Sequence, residues 1–125
     1  MNTGSNIRYV RFMTPQGIGY ACFAILWERE SEKFIHYKIG SSFCSPKDSF
    51  NKTIAKTIAK GRLSRNNIIG VVPSIPASRQ GFILDAEFDA MLHDLMKSKE
   101  LIPSWAYKSF LRDKYVFTLS SNRIK

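Results

Sequence analysis

The sequence predicts an α+β fold: an antiparallel sheet of three to five strands with about three helices packed on it. Three observations lead there. Residues 1–43 are filled by apolar runs of strand length with short polar links between them, the pattern of an antiparallel meander. Two later stretches repeat apolar residues at helical spacing. A last run, "YVFTL", returns to strand character. At 125 residues and 44% apolar composition, one domain over 1–125 has enough material for a core.

Tyr9, Val10 and Phe12, set among Arg8 and Arg11, make a first short strand. "TPQG" (Thr14–Gly17) places Pro and then Gly for a tight turn. Tyr20–Trp27 is apolar throughout, as expected of a central strand covered on both faces. "ERESEK" forms a polar hairpin end, and Phe34, Ile35, Tyr37, Ile39 and Phe43 form the returning strand. Next, Ser45, Pro46 and Asp48 read as an N-cap serine, a first-position proline and a third-position acid, a variant capping box. The helix should run to about Lys60, with Gly61 ending it. Phe50, Ile54 and Ile58 supply its apolar side, with Ala55 and Ala59 beside them, and Lys52, Lys56 and Lys60 fall on another.

Ile68–Val72 reads as a short strand within a Gly- and Pro-rich stretch ending near Arg79. Asp85 is placed to cap a second helix. Leu84, Phe88, Met91, Leu92, Leu95 and Met96 form its core stripe, with Glu87, Asp89, Asp94 and Lys97 on the polar side. Pro103 and Ser104 open a third helix through Trp105, Tyr107, Phe110 and Leu111. Tyr115–Leu119 is a last strand, and 119–125 a frayed tail.

Charge is the main functional signal. The net charge is +9, and residues 45–65 hold Lys47, Lys52, Lys56, Lys60, Arg62 and Arg65 against Asp48 alone, which is +5 of the total. Thr-Ile-Ala-Lys occurs twice in succession and, with Lys52, spaces the lysines one helical turn apart. Two like-charge pairs at that spacing cost under about 1 kcal/mol. Lysine near a helix C-terminus recovers a similar amount from the macrodipole. The row is therefore compatible with a plain solvated face. An anionic partner accounts for it too, and for Arg62, Arg65 and the missing glutamates.

Catalytic signals are weak. No GxSxG, HExxH, GxGxxG or P-loop lysine pattern occurs. His36 and His93 stand outside any known catalytic pattern. Asp85, Glu87 and Asp89 fit a helix N-terminus better than a metal site. Cys22 and Cys44 lack metal-ligand spacing and read as buried thiols. No cofactor and no enzyme activity is expected. The longest apolar run, Ile18–Trp27, is too short to span a bilayer, and no signal peptide is evident, so a cytoplasmic protein without membrane partners is expected.

"IGSSFCSPKDSFNKTIAKTIAKGRL" (Ile39–Leu63) resembles a segment of small phage and prophage proteins, in which Phe-Cys-Ser-Pro-Lys-Asp leads into a helix closing on Ile-Ala-x-Gly-Arg. Chain length and layout are also similar to the first Thoeris anti-defence family. That resemblance implies a homo-oligomeric, non-enzymatic sponge for a cyclic ADP-ribose-type signal, acting in the host cytoplasm. No ligand residue is carried over from that family, and the basic residues themselves suggest three binding classes. Capture of a phosphorylated nucleotide would use Arg62, Arg65, Arg79 and Arg112 with the faces of Phe82 and Trp105. Nucleic-acid binding would use Lys52, Lys56 and Lys60 with Arg62 and Arg65. Direct binding of a host protein would use the same basic face.

Overall fold

The computed structural model describes residues 2–30, 33–65, 67–75, 83–97, 101–108 and 122–123. Its centre is one antiparallel sheet in the order β4-β3-β2-β1-β5, built from β1 (Asn2–Thr14), β2 (Gly17–Glu30), β3 (Phe34–Cys44), β4 (Asn67–Pro73) and β5 (Asn122–Arg123). The β1–β2 turn places Gly17 at φ 129°, a conformation that favours glycine. β5 belongs to the tail read as frayed, yet it pairs with Arg8 and Tyr9 of β1. The strand expected at Tyr115–Leu119 lies outside the described residues, as do Phe110 and Leu111 of the third helix.

Helices cover both faces of the sheet. On one face lies α2 (Asp85–Met96), whose Phe88, Met91, Leu92 and Leu95 are fully buried against Val10, Phe12, Phe23, Ile25 and Ile39. A short third helix at 104–108 adds Ala106 to the same core. On the other face lies α1 (Lys52–Arg62), over a smaller cluster of Tyr9, Cys22, Ala24, Ala55 and Ala59. Because strand side chains alternate, Arg8 points to the α2 face and Tyr9 to the α1 face.

The α2 end differs from its sequence reading. Leu84, not Asp85, is the N-cap, and its N–H donates to Glu87 Oε1 at 3.0 Å. Asp85 instead accepts from Arg8 Nη1 at 2.6 Å, and the same guanidinium also donates to the Ile83 carbonyl. Glu87, expected on the polar side, is 1% exposed. Its carboxylate takes Arg29 Nη1 at 2.9 Å, Arg29 Nη2 at 3.0 Å and the Ile75 N–H at 2.9 Å. Burial alone would raise the Glu87 carboxyl. The Arg29 and backbone hydrogen bonds and the guanidinium charge outweigh it and hold the group below its ordinary value. A charge this well paired can sit in a core that rejects an isolated one.

Candidate functional site: the two flanks of α1

The start of α1 is set six residues later than the capping pattern suggests. Ser45 spends its hydroxyl on a local turn, accepting from the Lys47 N–H at 3.1 Å, while its carbonyl takes the Asp48 N–H at 3.1 Å. Asn51 is the true N-cap, with Oδ1 accepting from the Ile54 N–H at 3.0 Å. At the other end Gly61 lies within the helix, which runs to Arg62 and is capped at Leu63.

The face that α1 buries is also not the expected one. Ala55 and Ala59 are the buried residues of the helix, whereas Ile54 is 58% and Ile58 41% exposed. The sheet explains this. Adjacent rows below α1 carry only small groups, with Cys22 opposite Ser42 and Ala24 opposite Gly40. The helix settles close onto them. Ser42 Oγ donates to the Ala55 carbonyl at 2.9 Å, and a Cβ on Gly40 would run into the Ala59 carbonyl oxygen. An isoleucine cannot occupy so thin a layer; an alanine can.

With the alanines seated, the Thr-Ile-Ala-Lys repeat sorts the remaining side chains. Four residues advance about 400°, so each repeat position returns to nearly the same side. Ile58 lies about 60° to one side of Ala55, and Lys56 about 100° to the other. Threonines occupy the outer side, where Thr57 Oγ1 donates to the Thr53 carbonyl at 2.9 Å. The lysine flank leans over β1 and β2. Lys52 Nζ lies 5.1 Å from the centroid of the Tyr9 ring, and Tyr9 Oη donates to the Lys52 carbonyl at 3.3 Å. Lys56 is near enough to Cys22 to oppose, in part, the burial that pushes this thiol up to about 12. Among the described residues no carboxylate pairs with Lys52, Lys56 or Lys60, and the first turn of α1 holds no acid.

Aromatic rings border this flank. Phe50 stacks on Tyr20 with centroids 4.3 Å apart and planes at 10°, and meets Tyr9 edge-on at 6.2 Å. Arg11, exposed on β1, stands directly across from Tyr20 in the β1–β2 register. Tyr9, Arg11, Tyr20 and Phe50 were not among the sequence-predicted site residues. For the strand residues, period-two alternation was the available signal: it separates Tyr9 and Arg11 from Arg8 and Phe12.

Several predicted site residues do not join the lysines. Arg62 lies on the isoleucine side and donates from Nη1 to the Ser41 carbonyl at 2.8 Å, tying the helix end to β3. Arg65 is exposed in the turn after α1. Trp105 is on the opposite face of the sheet, stacked on Phe12 at 5.9 Å. Arg79, Phe82 and Arg112 lie outside the described residues. Beside the isoleucine flank is a hollow of about 170 Å³, lined among others by Phe50, Asn51, Ile54, Ile58, Ser42 and Asp48. The described residues contain no group of three or more His, Cys, Asp or Glu placed to hold a metal ion, and no helix long and apolar enough to cross a membrane. No family model, curated protein or solved structure matches the chain.

Proposed function

We propose that this chain is a non-enzymatic nucleic-acid-binding protein whose α1 lysine flank receives the phosphate backbone. The carrying observation is that Lys52, Lys56 and Lys60 share one flank with no carboxylate paired to them among the described residues. The row is about 12 Å long. Its three ammonium groups recur about every 6 Å, so each can meet one phosphate of a strand lying along the row. A convex row of this kind suits a polyanion that lies along it. Enclosed small ligands are held instead in concave pockets of about 300–1,000 Å³, and the hollow beside α1 is only about 170 Å³.

Capture of a phosphorylated nucleotide is the second reading, favoured by the Tyr9, Tyr20 and Phe50 rings beside Lys52. The phage setting draws on the resemblance of Ile39–Leu63, and the anti-defence role on similarity in chain length and layout. Fluorescence anisotropy with a labelled oligonucleotide separates the two readings when run beside calorimetry with cyclic ADP-ribose. Nucleic-acid binding predicts that Lys52→Glu, Lys56→Glu and Lys60→Glu together abolish oligonucleotide affinity, and that the cyclic nucleotide gives no heat. A saturating calorimetric isotherm with no oligonucleotide binding would reverse the order.

A further inference from the structure

The isoleucine flank raises its own question. Two large apolar side chains, Ile54 and Ile58, are exposed on the rim of a hollow whose lining includes Phe50, the ring that also borders the lysine flank. The hollow is too small for an enclosed ligand of ordinary size. Its chemistry also differs from that of the lysine row. Asp48, the single acid of residues 45–65, lines the hollow. A carboxylate there repels phosphate, whereas the apolar walls accept a neutral flat ring, and Asp48 can take a hydrogen bond from a base amino group. Between hollow and lysine row lies the N-terminal turn of α1, which carries no acid to offset its positive end.

We propose that this hollow is a base-stacking subsite of the nucleic-acid surface. One unpaired base enters it against Phe50, between Ile54 and Ile58, while the backbone crosses the first turn of α1 towards Lys52 and Lys56. The inference rests on the nucleic-acid reading above and deepens it. A paired base cannot leave its stack without an added cost, so the subsite makes the protein select single strands.

The test compares a labelled single strand with a duplex of equal length, at one salt concentration, for the native chain and for Ile54→Gln with Ile58→Gln. Both isoleucines are exposed, so the pair leaves the packing of α1 intact. The native chain should prefer the single strand by at least about five-fold, the lower end of what one stacked base contributes. The glutamine pair should remove that preference and leave duplex affinity unchanged. A 2-aminopurine placed in the strand should change fluorescence on binding the native chain and not the variant. Equal affinity for both nucleic acids, or equal weakening of both by the glutamines, overturns the subsite while leaving the lysine flank standing. Absence of salt-sensitive binding to either removes the underlying reading instead.

Discussion

Replacing Glu87 by Gln removes one charge from the most enclosed ion pair of the described fold. Arg29 is 7% exposed and Glu87 1%, so the guanidinium left behind has no carboxylate at Glu87 and little water to replace it. Breaking a buried pair from one side costs about 3–5 kcal/mol. Against a typical total of about 5–15 kcal/mol, that is a large fraction. At about 4 °C per kcal/mol for a chain of this length, the melting temperature should fall by roughly 12–20 °C. Urea titration followed by circular dichroism reads the loss directly. Arg29→Met with Glu87→Met should recover part of it, because neither charge is then stranded. The pH dependence follows with a definite sign. The folded carboxyl sits below its unfolded value of 4.5, so its contribution is full above that pH and fades as pH falls through the folded pKa. The Gln variant should show a shallower acid branch. A loss under about 1 kcal/mol, or a double variant as unstable as the two single losses added, would refute the reasoning.

The α1 seat supports two further predictions. Asn51→Ala should cost about 1 kcal/mol in urea titration, the usual worth of an N-cap, whereas Ser45→Ala should stay within about 0.5 kcal/mol. Gly40→Ala should cost about 1–3 kcal/mol by forcing α1 off the sheet, while Ile58→Ala, at an exposed site, should cost under about 0.5 kcal/mol. If Ile58→Ala instead destabilises by several kcal/mol, the isoleucines and not the alanines face the core.

The α2 stripe could be read directly from spacing, because Phe88, Met91, Leu92 and Leu95 meet a wide, deep core that accepts large side chains. The same rule failed on α1. Phe50, Ile54 and Ile58 have the better apolar spacing, but the layer beneath is only deep enough for Ala55 and Ala59. The cue was present in other elements: small residues at alternate positions, 22 and 24 in β2 and 40 and 42 in β3, mark a face where a helix can come close. Combining them required the register of β2 on β3, which local pattern does not contain. The burial of Glu87 was hidden for the same reason, since its partner Arg29 lies 58 residues away. On the functional side, the lysine row was visible as a row. Its separation from Arg62, and the rings of Tyr9, Tyr20 and Phe50 beside it, depend on which way α1 rolls on the sheet.

Whether the α1 flank meets phosphate is decided by the salt dependence of oligonucleotide binding by a Lys52→Gln, Lys56→Gln, Lys60→Gln variant. The comparison is with a charge-matched control away from α1, Lys33→Gln, Lys97→Gln and Lys108→Gln. With about 0.7 of a log unit per neutralised phosphate on a single strand, the flank variant should lower the slope of log affinity against log salt by about 2. The control should leave it near the native value. Equal slopes for the flank variant and the native chain would mean that phosphates are bound elsewhere, and the α1 lysines would be a solvated face.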